Sequence, residues 1–442
     1  MLRELFFIVC SAVFILNISG CAKKKVPAPT VQKEYVIADE RDFPQNLDYY
    51  AKQAGPKKRL LDQPAQAAAK QRFDNIYFGP WEMTHGTVSS SQACIKKARG
   101  YKSNGLRWTQ PEWDEIVANA NLATFPSTAF PAITVRNTDL REIPTHQARY
   151  DKTGITPQNY PFDDFQYSLL PVGMPLFISH RSADGRWYFA ECPLVGGWID
   201  ANDVAMVDES FKARWQSYPL AAIIKDQIPL PQIGTPATIG TVLPQIKKNN
   251  QKVTLALPQK TPSGEAKIIE VAFNADEVAP HPLPLTPENM ATLGNRIMGQ
   301  HYGWGGMYGL RDCSATTHDL LAPFGVWLPR NSKAQARVGV VNHLNDLTAE
   351  QKEASIKNFG TPFLSLVGLP GHITMYVGTH NGRVALLHNV WGVRTIEGAN
   401  DNARHVIGKT LVTSITPGAE LPDLYRPRTF VDRIRSLNTP GY

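Results

Sequence analysis

Four glycines fall within eight residues, Tyr302-Gly303-Trp304-Gly305-Gly306-Met307-Tyr308-Gly309, and no regular helix or strand runs through such a segment. On its amino-terminal side Thr286 is an N-cap with Pro287 at the first helical position. Met290, Leu293, Ile297 and Met298 then form the apolar stripe of a helix that the glycines end. On the far side Arg311-Asp312-Cys313-Ser314-Ala315 opens a second, buried helix, closed by Pro323 and Gly325. A cysteine therefore stands at or near a helix start, where unpaired N–H groups favour thiolate over thiol. The plain alternative is a small buried side chain.

Two histidines follow on segments with strand alternation. In His372-Ile373-Thr374-Met375-Tyr376-Val377 the apolar Ile373, Met375 and Val377 share one face, leaving His372 on the other. His380-Asn381-Gly382 turns the chain into Arg383-Val384-Ala385-Leu386-Leu387-His388, so the strands are antiparallel neighbours. A two-residue Asn381-Gly382 turn puts the histidines on opposite faces. A three-residue loop with Gly382 left-handed pairs Thr374 with His388, leaving His372 and His388 as diagonal neighbours roughly 7 Å apart at the backbone. The second register is expected.

Thiol chemistry then assigns the roles. Cys313 attacks a carbonyl carbon, His372 takes its proton and passes one to the leaving amine, and His388 orients the His372 ring. A resting thiolate–imidazolium pair is expected, with the cysteine titrating below a free thiol. This chemistry needs no cofactor. A zinc reading would use the same three side chains, but no C-x-x-C, H-E-x-x-H or regularly spaced fourth ligand accompanies them. His281 and His318 read as packing histidines.

The remainder of the 442 residues is sufficient for roughly two to four domains with true cores. Residues 46–125 read as helical, with a capping box at Thr109-Gln110-Pro111-Glu112. From 126 to 207 and again from 208 to 282 the texture is short β-rich runs broken by turn residues, read as two small barrels in tandem. The last domain spans 283–442.

Arg3, the apolar stretch Leu5 to Ile18 and Ser19-Gly20-Cys21 form an export signal over residues 1–20, too short to span a bilayer comfortably. Ile18-Ser19-Gly20-Cys21 resembles a bacterial lipobox, which makes Cys21 the expected lipidation site and residues 21–45 a tether. In a cell with two membranes, Ala22 after that cysteine favours the outer one, facing the periplasm. Cys94, Cys192 and Cys313 remain in the exported body, an odd number that leaves one free thiol, with a Cys94–Cys192 disulfide open. The formal charge of +7 suits an anionic wall. No zinc-finger spacing, helix-turn-helix cue or aromatic-laced basic stripe points to nucleic acid.

Taken together, Tyr302-Gly303-Trp304-Gly305-Gly306, Arg311-Asp312-Cys313-Ser314, Leu328-Pro329-Arg330-Asn331-Ser332, Gly371-His372-Ile373-Thr374-Met375-Tyr376-Val377-Gly378 and Leu387-His388-Asn389 resemble the NlpC/P60 cell-wall cysteine peptidases. Pro161-Phe162-Asp163-Asp164-Phe165-Gln166 and Gly196-Gly197-Trp198-Ile199 resemble a bacterial SH3 domain. The resemblance implies an α+β chain: a papain-like catalytic domain preceded by two SH3-like β-barrels and a helical amino-terminal region. It implies a Cys313–His372–His388 triad, Tyr302 near the oxyanion, and Arg311, Asp312 and Ser314 lining the substrate cleft. Trp304 is expected to face substrate.

The implied reaction is cleavage of the γ-D-glutamyl to diamino acid bond in peptidoglycan stem peptides. Asn331 stands where relatives specialised for free stem peptides carry an aspartate that pairs with the substrate amine, so strict recognition of a free L-alanyl amine is not expected. Two other classes share these features: a catalytically silent wall-binding lipoprotein and an acyltransferase using the same triad. Oligomeric state is not legible.

Overall fold

A computed structural model describes residues 36–90, 92–93, 97–151, 162–396 and 403–441. The signal segment, Cys21 and Cys94 lie outside the described residues, so the lipidation site and the Cys94–Cys192 pairing have no structural counterpart here. Among the described residues Cys192 and Cys313 form no disulfide.

Residues Ile37–Tyr442 form one compact unit. The chain is folded well before the expected end of the tether. Ile37 and Phe43 are buried. Asp39 accepts hydrogen bonds from the Ser414 amide and hydroxyl, and Glu40 pairs with Lys409. Residues 37–45 therefore belong to the folded body and not to the expected tether, because the helix Ala38–Asp42 packs on the strand Arg404–Thr413.

The amino-terminal helices wedge between the later domains. The helix Gln63–Phe78 is capped by Asp62. Its Gln66 amide donates to Leu283 O and Phe324 O, and its Tyr77 hydroxyl bonds Gly173 O and Val242 O. Leu47, Tyr50 and Ala69 join Leu293, Ile373 and Leu387 in one core; burying each large side chain is worth roughly 1.5–3 kcal/mol. The expected Thr109 capping box is present on Gln110–Asn119.

Two antiparallel β-domains follow. The first has seven strands between Phe130 and Met206, and the second five between Leu220 and Pro280. Both sheets stay open: in neither does the last strand pair with the first in sheet order, so the expected barrels are SH3-like open sheets. The helix Glu209–Gln216 separates them.

The catalytic domain pairs the helix Cys313–Leu321 with a six-stranded sheet ordered Val340–His343, Ser436–Thr439, Leu366–Leu369, His372–His380, Arg383–Arg394, Arg404–Thr413. Helix and sheet share an apolar core through Leu320, Leu321, Ile373, Met375 and Leu387.

The turn between the histidine strands departs from expectation. His380 pairs directly with Arg383, and Asn381 and Gly382 both have positive φ, 49° and 76°, a two-residue mirror-image turn. By itself that turn sends the histidines to opposite faces. A β-bulge between Tyr376 and Gly378 restores the register, with Gly378 at φ 138°, a conformation that favours glycine. Beyond the bulge Met375 pairs with Leu387, so the same register places Thr374 opposite His388. The one-residue shift comes from a bulge within the strand, not from a three-residue loop.

Candidate active site

Cys313 is the first residue of its helix, and Asp312 caps it by accepting from Ala315 N at 2.8 Å. The sulfur lies against the Ile373 amide, the residue after His372. His372 opens its own strand, so both side chains sit at element ends that meet.

His372 Nε2 lies 2.7 Å from His388 Nδ1, and His388 Nε2 lies 3.0 Å from Thr413 Oγ1. The Thr413 hydroxyl donates its one proton to Ser414 O at 2.9 Å, so Thr413 must accept from His388 Nε2–H. His388 Nδ1 is then the acceptor for His372 Nε2–H. The tautomers follow from this network: His372 Nδ1 is the basic nitrogen and has no hydrogen-bond partner among the described residues. Thr413 and Phe430 are site residues that the sequence did not reveal. Phe430 packs edge-on against both imidazoles, with centroids 5.8 and 5.7 Å away.

The site is dry. His388 is fully buried and Cys313 only 6% exposed. Burial, then the Asp312 charge, pushes the Cys313 thiol up to about 12. Burial, then the Arg433 and Arg404 charges, pushes His372 down to about 3, and His388 lies well below the usual histidine range. Burial therefore works against the expected thiolate–imidazolium pair. The helix start does carry N–H groups, but its cap is a carboxylate, and desolvation disfavours both charged forms. Both shifts favour neutral thiol and neutral imidazole over the charged pair.

The flanking residues divide between cleft and scaffold. Tyr302 lies beside Cys313, and burial followed by the Cys313 and Asp312 charges holds its hydroxyl well above the usual tyrosine range. Trp304 packs on Phe162 at 5.1 Å and donates to Asp163 O at 2.9 Å, so its polar edge is turned to the first β-domain, not to substrate. Arg311 does not line the cleft. It is buried against Asp226 at 2.8 Å and Asp319 at 2.7 Å, and it also donates to Ile239 O, pinning the second β-domain to the catalytic helix.

Asp312 and Ser314 likewise face inward, to Arg330. Arg330 grips Asp312 at 2.7 Å and the Ser314 hydroxyl at 3.0 Å, and reaches Ser168 of the first β-domain at 2.8 Å. Burial raises the Asp312 carboxyl, but the Arg330 charge together with the hydrogen bonds from Arg330, the Ala315 amide and the Ser314 hydroxyl outweighs it and holds the group below its ordinary value. Asn331 spends its Oδ1 capping the helix Ser332–Gln335, accepting from Ala334 N at 2.9 Å.

The glycine-rich segment is a docking loop. A Cβ on Gly305 would meet Gln166 at 2.6 Å, and one on Gly306 would meet Leu169 at 2.4 Å, with φ of +59° and +85°. The loop that precedes Cys313 is thus pressed against the first β-domain, held also by Gln166 Nε2 donating to Gly305 O at 3.1 Å. His281 is a packing residue that donates from Nε2 to Ala322 O at 3.0 Å, and His318 packs on Trp327.

Comparison with known proteins agrees with this architecture. Residues 8–125 match the NLPC_P60 stabilising domain (N term), residues 149–200 an SH3 domain of the SH3b1 type, and residues 299–400 the NlpC/P60 family. No curated protein sequence matches the chain. Among solved structures, an NlpC/P60 endopeptidase from Photobacterium damselae subsp. piscicida is 25% identical with a TM-score of 0.79, over 90% of this chain and 98% of that one. An NlpC/P60 family protein from Bacillus cereus is 14% identical with a TM-score of 0.47, over 70% and 99%. With the three matches in chain order and the thiol, paired histidines and docking loop where they are, this chain carries an NlpC/P60 domain, preceded by an SH3b domain and an NLPC_P60 stabilising region.

Proposed function

We propose that the protein is a cysteine peptidase that hydrolyses peptidoglycan stem peptides at the bond between γ-D-glutamate and the diamino acid. The observation that carries this reading is the proton chain from His372 through His388 to Thr413, which leaves His372 Nδ1 basic at the strand end where Cys313 stands. A catalytically silent wall-binding protein has no use for an oriented, neutral imidazole pair. The bond itself is what the family resemblance implies.

The chemistry runs from a neutral pair. The Cys313 sulfur bonds to the carbonyl carbon as its proton passes to His372 Nδ1, so proton transfer accompanies attack. The oxyanion is received by the helix-start amide of Cys313 and the Tyr302 hydroxyl. Imidazolium then protonates the leaving amine, and a thioester remains on Cys313. Water, deprotonated by His372, cleaves the thioester and restores the thiol. His388 accepts throughout from His372 Nε2–H and holds the ring in place.

Export through residues 1–20 and lipidation of Cys21 belong to the same proposal, since the substrate lies outside the cytoplasm. The test uses defined stem peptides, with a free or an acylated L-alanyl amine, and product masses. Cleavage of both between D-glutamate and the diamino acid is expected. Cleavage confined to free-amine peptides contradicts the reading of Asn331, and cleavage at another bond contradicts the assignment.

A further inference from the structure

The strand Arg404–Thr413 is the last in the order of the catalytic sheet, so one row of its backbone groups points away from the other strands. Side chains of the amino-terminal segment pair with that row. Val412 N donates to Gln45 Oε1 at 2.8 Å, and Gln45 Nε2 donates back to Val412 O at 3.0 Å. Ser414 N and Ser414 Oγ both donate to Asp39 Oδ2, at 2.8 and 2.7 Å. Two residues separated from the strand by 367 and 375 positions in sequence therefore grip the neighbours of Thr413 on either side.

Thr413 is where the proton chain from His372 ends. Its hydroxyl accepts from His388 Nε2 because its own proton goes to Ser414 O. Donor, acceptor and carbonyl all hang on the backbone from 412 to 414. The bond from Ser414 N to Asp39 sets the peptide plane between Thr413 and Ser414. The Ser414 hydroxyl, with its proton committed to the Asp39 carboxylate, accepts from Thr416 N at 3.0 Å and closes the turn that carries Ser414 O.

Asp39 is more than an edge cover. It is 4% exposed, and taking a carboxylate out of water is costly unless its oxygens are hydrogen-bonded. Its Oδ1 faces the Arg383 guanidinium at 3.6 Å, and Arg383 in turn donates to Thr416 Oγ1 at 3.2 Å. Gln45 is held in the same way, by donation from Nε2 to Phe43 O at 3.0 Å. Each gripping side chain is itself fixed.

We propose that Asp39 and Gln45 are positioning residues for the reaction at Cys313: by fixing Val412 and Ser414 they fix the Thr413 hydroxyl, and with it the tautomer in which His388 accepts from His372. The amino-terminal segment thereby supports the proton chain from outside the catalytic domain. This rests on the reading of the site as a peptidase.

The test uses the full chain and a defined stem peptide. Asp39→Ala, Asp39→Asn and Ser414→Ala are each made with Thr413 intact and in combination with Thr413→Val. Asp39→Ala should lower kcat by about tenfold with KM unchanged. Asp39→Asn, whose amide oxygen still accepts from Ser414, should recover most of the loss. Ser414→Ala keeps the amide bond and should lower kcat by about threefold. Because these residues act through Thr413, the same changes made on Thr413→Val should alter kcat by less than about twofold.

The tautomer is read without turnover, from the nitrogen resonances of isotope-labelled histidine. His388 should carry its proton on Nε2 in the wild type, and a second tautomer should appear in Asp39→Ala. Unchanged kcat in folded Asp39→Ala, equal losses in Asp39→Ala and Asp39→Asn, or losses that add in full to that of Thr413→Val overturn the proposal and leave the peptidase reading intact. If Asp39→Ala does not fold, the same comparison and the same spectrum on Ser414→Ala decide. Absence of Cys313-dependent turnover in the wild type fails the peptidase reading. The spectrum then decides the proposal, and one unchanged His388 tautomer in wild type and variant overturns it.

Discussion

The Thr413 hydroxyl donates to Ser414 O and so can only accept from His388 Nε2, 3.0 Å away. That one proton fixes the tautomer of His388, and through it that of His372. Thr413→Val leaves His388 Nε2–H buried without an acceptor, a loss of about 1–3 kcal/mol. We expect kcat to fall by roughly tenfold to a hundredfold with little change in KM, the equivalent of that energy in the transition state. Thr413→Ser should recover most of it. Steady-state kinetics on a defined stem peptide check both.

The burial of Cys313 and His372 sets how the thiol reacts in the absence of substrate. With the thiol pushed up to about 12, iodoacetamide labelling should climb about tenfold per pH unit through the alkaline range. A thiolate–imidazolium pair would instead give a plateau on the acid side of neutrality. Mass-resolved labelling of Cys313 against pH distinguishes the two.

Stability against pH follows from the same burial. His372 is held down to about 3 against an ordinary 6.5, His281 to about 4, and His388 is also depressed. The unfolded chain takes up these protons below about 6.5 while the native state does not. Stability is therefore fully present above that pH and is lost progressively as pH falls towards 3. Urea midpoints measured across this window should decline, and a flat profile would show that these imidazoles are not buried neutral.

Gly378 carries the bulge that sets the histidine register. Its φ of 138° costs a β-branched residue roughly 1–3 kcal/mol. An added Cβ would find only ordinary contact with Tyr50, at 3.4 Å, so the penalty is conformational. In Gly378→Val the strand is expected to lose the bulge, slip by one residue and turn His388 to the opposite face. Activity should fall by at least about a hundredfold in a chain that still folds, as followed by circular dichroism and peptide hydrolysis.

Asp312 is a structural anchor beside the nucleophile. Asp312→Ala strands the buried Arg330 guanidinium and should destabilise the protein by about 3–5 kcal/mol. Chemical denaturation measures it directly. An effect within the range of an exposed ion pair would return Asp312 to the substrate cleft.

Much of this was legible in the chain. The helix start at Cys313, the strand alternation through His372 and the Thr109 capping box are local signals, and each is present in the fold. The histidine register was misplaced in origin: Asn381-Gly382 is the sequence of a tight turn and forms one, while the compensating bulge at Gly378 depends on pairing between strands. Thr413 was invisible because its register with His388 is set across the long connection from Arg394 to Arg404. Arg311 was misassigned for a related reason. Its neighbours in sequence belong to the catalytic domain, but its partner Asp226 belongs to the second β-domain, and no local pattern reports a contact between domains.

The central claim is that Cys313 is the nucleophile of a wall peptidase. Purified peptidoglycan incubated with wild type and with Cys313→Ala, and the released fragments identified by mass, tests it most directly. The account predicts fragments ending in D-glutamate, with a new amino terminus on the diamino acid, from the wild type and none from Cys313→Ala. The same fragments at the same rate from both proteins, or no fragments from either, would contradict it.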